Sequence, residues 1–150
     1  MQRVVDEQRL GYVATVCPDG TPNLSPKGTT AVWDSEHLVF AHLHSHQTVA
    51  NIEITNSIVE INVVDPILRK GYRFKGPATV HRDGSVFEAG LRFYQQRSGL
   101  EAHRIEAIVL VRVEQVASLL SPAYDDGTNE REVEQRSLAL YGLTRTRRSA

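Results

Sequence analysis

The chain has 150 residues, 41% hydrophobic and 23% charged, with a formal net charge of −1 and a single cysteine. Those values exclude wholesale disorder, a basic field able to hold a nucleic-acid backbone, and an internal disulfide framework. No apolar run nears the roughly 18 residues a membrane helix needs, and the polar, charged N-terminus is no secretory signal, so the expected location is cytoplasmic.

Residues 2–9 read as a short helix stopped by Gly11. Tyr12 to Cys17 is rich in β-branched and aromatic residues and reads as a strand, with Cys17 as a small buried hydrophobe. Pro18-Asp19-Gly20 is a turn signal, and Pro22 to Val32 is read as the second strand of a hairpin. After a turn at Asp34-Ser35-Glu36, His37 to His42 forms a further strand. Ser45 is placed as the N-cap of a helix over Gln47 to Ile54. Ser57 to Val64 is a strand ended by Asp65-Pro66, and Gly71 to His81 alternates apolar with polar residues. Arg82-Asp83-Gly84-Ser85 makes a turn. Apolar residues at 87, 91 and 94 then mark a helix over Val86 to Gln96, with Gly99 as its stop. Ile105 to Val116 is apolar on both faces and reads as one central strand. Ser121 to Gly127 is a loop, and Asn129 to Leu140 a surface helix. Strands joined mostly by tight turns, with helices between them, predict one α+β domain, mainly β, over residues 1–143, built as an antiparallel barrel. Residues 144–150 form a basic tail expected to be disordered.

Three distant segments offer groups for an anion. In an extended strand Asn23, Ser25, Lys27 and Thr29 share one face, which carries an amide, hydroxyls and an ammonium. The helix start after His42 presents unpaired N–H groups, with Ser45, His46 and Thr48 at hand. The polar side of the 71–81 strand adds Arg73 and Lys75. Each alone is equally what a solvated strand or an ordinary helix cap presents; together they fit one phosphorylated ligand. His42, His44 and His46 would share a face of a continuous strand, as metal ligands can. Ser45 as N-cap ends that strand before His46, however, and no Glu or Cys stands nearby in ligand spacing, so no metal is assigned. The chain contains no Gly-x-Ser-x-Gly elbow, Gly-x-Gly-x-x-Gly or P-loop.

The order of these segments carries a resemblance. Pro18-Asp19-Gly20, Pro22-Asn23-Leu24-Ser25-Pro26-Lys27-Gly28-Thr29, Leu38-Val39-Phe40-Ala41, Ser45-x-x-Thr48-Val49-x-Asn51-Ile52, Val63-Val64-Asp65-Pro66, Gly71-Tyr72-Arg73-Phe74-Lys75-Gly76 and Ser121-Pro122-Ala123-Tyr124-Asp125 occur in sequence. The chain thereby resembles the pyridoxamine 5'-phosphate oxidase-like family of flavin-binding split β-barrels. The resemblance implies a six-stranded antiparallel split barrel with flanking helices. It implies a homodimer holding FMN in clefts at the subunit interface. It also implies that Ser25, Pro26, Lys27, Gly28, Thr29 and Thr30 run along the flavin, with Ala41 and His42 against it. Ser45, His46 and Thr48 would grip the phosphate, with Lys75 as a further cation near the cofactor. Authentic family oxidases carry arginine and lysine where this chain has His46 and Gln47 or Thr48. They also carry a late tryptophan, whereas the tryptophan here is Trp33, so vitamin B6 oxidation is not the expected activity. The implied function is an FMN-dependent oxidoreductase acting on an unidentified small molecule. The alternatives are a non-catalytic flavin-binding protein or a relative binding F420 or haem. No catalytic residue is assigned.

Overall fold

The computed structural model describes residues 1–55 and 58–144. The start of the Ser57 strand and the basic stretch 145–150 lie outside the described residues. The elements, in order, are α1 (Gln2–Gln8), β1 (Gly11–Val16), β2 (Pro22–Lys27), β3 (Ala31–Val32), β4 (His37–His42), α2 (His46–Thr55), β5 (Ile58–Asp65) and β6 (Lys70–His81). They continue as α3 (Gly84–Ser98), β7 (Ala107–Arg112), β8 (Gln115–Leu120) and α4 (Glu130–Leu140), with short 3-10 turns at Ala102–Arg104 and Pro122–Tyr124. The strands pair antiparallel in the order β2-β1-β5-β6-β7-β4-β3, with β8 added to β6. The sheet curls into a half-barrel of α+β type, mainly β. The described strands number eight where six are expected.

Two of the expected strands are each divided. Pro22 to Val32 breaks after Lys27, because the carbonyl of Lys27 accepts both the N–H of Thr30 (3.2 Å) and its hydroxyl (2.8 Å), closing a turn over Gly28-Thr29. Ile105 to Val116 breaks because Val113 N–H turns to Glu36 O (2.8 Å) and Glu114 N–H to Lys75 O (2.9 Å). The chain then reverses so that β8 lies along the first half of β6. Helix α1 stops at Arg9, which takes a left-handed φ of 57°, and not at Gly11. Gly99, left-handed at φ 66°, ends α3 as expected.

Strand β6 holds the two ends of the sheet together. Its first half pairs with β5 and β8, and Ala78–His81 pair with β7. Gly76 sits at the crossing, where a Cβ would lie 1.7 Å from the carbonyl oxygen of Arg112, so no side chain fits there.

Inside the half-barrel Val13, Phe40, Val49, Ile52, Val59, Ile61, Val63, Phe74 and Val109 form the main core. A second cluster packs α3 on β4 and β7 through Tyr94, Val39, Ala41 and Ile108. Because β4 is covered on both faces, His42 at its end is held in a dry place, 2% exposed. Helix α2 leaves directly from that end, across β1 and β2.

Candidate functional site

The inner face of β2 points Asn23, Ser25 and Lys27 toward α2, as alternation dictates. Lys27 is 5% exposed. Its Nζ donates to Ser25 Oγ (2.8 Å) and Thr48 Oγ1 (3.4 Å) and lies 5.7 Å from the Phe40 ring centroid. Among the described residues no carboxylate pairs with it, and burial alone pushes its pKa from 10.5 down to about 8. Ser25 Oγ in turn donates to Ser45 Oγ (3.3 Å). Ser45 stands just before α2, and its carbonyl takes the N–H groups of Thr48 and Val49. Asn23 Nδ2 donates to Thr15 Oγ1 (2.9 Å) and Thr48 Oγ1 (3.3 Å), which braces the helix start against the hairpin. Gln47 and Asn51 extend this polar seam, with Gln47 Nε2 donating to Asn51 Oδ1 (2.7 Å) and Asn51 Nδ2 to Thr15 Oγ1 (3.0 Å).

The structure thus brings Ser25, Lys27, Ser45 and Thr48 together from segments 20 residues apart. A buried ammonium, three hydroxyls and a helix N-terminus form a corner with positive potential and, among the described residues, no counter-charge paired to it.

The turn at Lys27 sends Thr29 out of the stripe expected for it. Its Oγ1 bonds both the N–H (3.0 Å) and the carbonyl (3.2 Å) of Ala41 at the end of β4. The Thr29 carbonyl accepts the buried hydroxyl of Tyr94 (2.8 Å), whose pKa burial drives upward. Gly28, Thr29 and Thr30 line a small recess with Arg9 and Arg97. Pro26 points to the outer side of the sheet. Lys75 also departs from the group. It sits on the outer face of β6, where Glu60 takes both Lys75 Nζ (3.4 Å) and Arg73 Nε (3.1 Å). Within one chain, the two cations of that row share a single carboxylate on the far side of the sheet.

His42 and His46 meet a partner the sequence did not reveal. Glu106 is held beside His42 by its backbone N–H, which donates to the His42 carbonyl (2.9 Å). Its Oε2 lies 3.1 Å from His42 Nε2 and 3.9 Å from His46 Nδ1. His42 Nδ1 is buried without a partner among the described residues. Burial lowers the His42 pKa from its ordinary value, and the Glu106 charge opposes that shift. His44, exposed in the bend after β4, stays outside this cluster. Sequence separation alone hid Glu106, which becomes a neighbour only through the β4–β7 register of His42 with Ala107.

The curled antiparallel sheet, with a polar corner where β2 meets α2, defines a split β-barrel. The family model described as pyridoxamine 5'-phosphate oxidase matches residues 1–119, so the chain belongs to the pyridoxamine 5'-phosphate oxidase-like family. HupZ of Group A Streptococcus is 34% identical, with a TM-score of 0.71 over 81% of this chain and 92% of that one. An F420 reductase is 26% identical, with a TM-score of 0.61 over 77% of this chain and 94% of that one. An FMN-binding protein of Syntrophomonas wolfei shares the fold at 10% identity, with a TM-score of 0.64 over 78% of this chain and 82% of that one. No curated protein matches the chain. Among the described residues no helix is long and apolar enough to cross a membrane.

Proposed function

We propose that the chain is an FMN-dependent oxidoreductase acting on a small molecule, with the FMN phosphate seated on Ser25, Lys27, Ser45 and Thr48. The observation that carries this reading is Lys27. An ammonium buried without a carboxylate is unfavourable unless an external anion completes it. Bound there, FMN would supply the hydride and electron transfer. The residues of the chain bind and orient. Lys27 supplies charge, the hydroxyls and the first N–H groups of α2 supply directed donors, and the Gly28–Thr30 turn, fastened to Ala41 and Tyr94, offers a fixed edge for the ring. His42 and His46 border the same corner. The outer sheet face carries exposed Tyr12, Val16, Leu24 and Ile58, which suits burial in a homodimer with the cofactor clefts at its interface. In such a dimer Lys75 would reach a cleft from the partner. The His46 and Gln47 or Thr48 positions argue for a substrate other than a B6 vitamer.

The test compares FMN with riboflavin, which lacks the phosphate, by fluorescence titration. Lys27→Ala combined with Ser45→Ala weakens FMN binding at least about tenfold, as loss of charge-assisted hydrogen bonds implies, and leaves riboflavin binding unchanged. Equal FMN affinity in the double variant overturns the placement. The similarity to an F420 reductase favours a second reading, with F420 as the cofactor; tighter binding of F420 than of FMN would select it. A Soret band in the purified protein would select haem. Absence of NAD(P)H oxidation with every acceptor would leave a non-catalytic flavin carrier.

A further inference from the structure

We propose that His42, His46 and Glu106 form a binding site for a divalent transition-metal cation of the zinc class. The proposal does not rest on the flavin reading. Two imidazoles and one carboxylate are the donor set of open zinc sites and of mononuclear iron(II) sites, in which further positions stay free for water or substrate. Here the three donor atoms all lie within 4.8 Å of one another. A tetrahedral ion with bonds of about 2.0–2.1 Å needs its ligand atoms about 3.3 Å apart. The Glu106 Oε2 distances to His42 Nε2 and His46 Nδ1, 3.1 and 3.9 Å, bracket that value. The adjustment required falls on His46, whose side chain is 76% exposed and free to rotate.

The site is also built. His42 is fixed at the dry end of β4, and Glu106 is registered to it by a backbone hydrogen bond. His46 is delivered by the first turn of α2, with its ring edge-on to His42 and the centroids 5.5 Å apart. Among the described residues the one partner of the buried His42 Nε2 is this carboxylate, which is open to solvent. A structural His–Glu pair needs only two of these residues. The third ligand, brought by an independent element to the same oxygen, distinguishes a cation site from a pair.

The test uses tag-free full-length protein, stripped with chelator and titrated with Co(II) and then Zn(II), with no flavin added. The wild type takes up one equivalent of Co(II), with the strong visible d–d bands of a low-coordinate site, and Zn(II) displaces it. Glu106→Gln and His46→Gln each weaken uptake at least about tenfold, while His44→Gln binds as the wild type does. The ligand side chains replaced are 46% and 76% exposed, so the metal-free variants keep the wild-type melting temperature. Zn(II) raises that temperature only where the site is intact. No stoichiometric uptake by the wild type, or equal affinity in Glu106→Gln and His46→Gln, overturns the proposal.

Discussion

Replacing Lys27 by Met makes the empty protein more stable and its ligand binding worse. The pKa of Lys27 falls from 10.5 to about 8, a gap that corresponds at about 1.4 kcal/mol per unit to about 3 kcal/mol carried by the charged form. Between about pH 8 and 10.5 the unfolded chain holds the proton that the folded chain has released, so stability rises with pH across that window. Below about pH 8 both forms are charged and the full cost remains. Methionine follows the lysine stem over Phe40 without the charge. It removes the donor to Ser25 and Thr48, a loss of about 1 kcal/mol. The net expectation at pH 7 is a gain of about 2 kcal/mol for Lys27→Met without ligand. Urea unfolding of wild type and variant at pH 7 and pH 10, followed by far-UV circular dichroism, reads this directly. The wild type approaches the variant at the higher pH, and other titrating groups cancel in the difference. A variant less stable than wild type at pH 7, or a difference independent of pH, refutes the reasoning that Lys27 is an uncompensated buried cation.

Three further outcomes follow from the packing. Gly76→Ala forces a Cβ into the Arg112 carbonyl and lowers stability by about 3 kcal/mol, measurable by thermal denaturation. Tyr94→Phe leaves the Thr29 carbonyl without its buried donor; urea titration should show a loss of about 1–2 kcal/mol, and amide exchange at Thr30 should rise. Leu24→Glu on the outer face of β2 places charge in the expected dimer contact, so size-exclusion chromatography should show a monomer that still folds.

Local pattern made most of the elements legible. The alternation in β6 and the 87, 91, 94 spacing in α3 survive, because Tyr72, Phe74, Ala78 and Val80 pack on one core cluster and Phe87, Leu91 and Tyr94 on the other. The breaks were hidden for specific reasons. Thr29 and Thr30 are β-branched and read as strand, yet the Thr30 hydroxyl closes a turn on the Lys27 carbonyl. The reversal at Val113-Glu114 carries no glycine or proline, and is held by backbone bonds to β4 and β6 neighbours. The anion corner was legible in part, since Ser25 and Lys27 alternate correctly toward Ser45 and Thr48. The fate of Lys75 was not, because Glu60 stands opposite it only through the β5–β6 register. Glu106 was invisible for the same reason, being far from His42 along the chain and adjacent to it only across a ladder.

The shared strand β6 has a consequence for how the molecule comes apart. Its one end zips to β5 and β8, its other to β7. Loss of this whole strand would disrupt both halves of the barrel at once. The slowest amide exchange along residues 71–80 would therefore report the whole-molecule unfolding free energy.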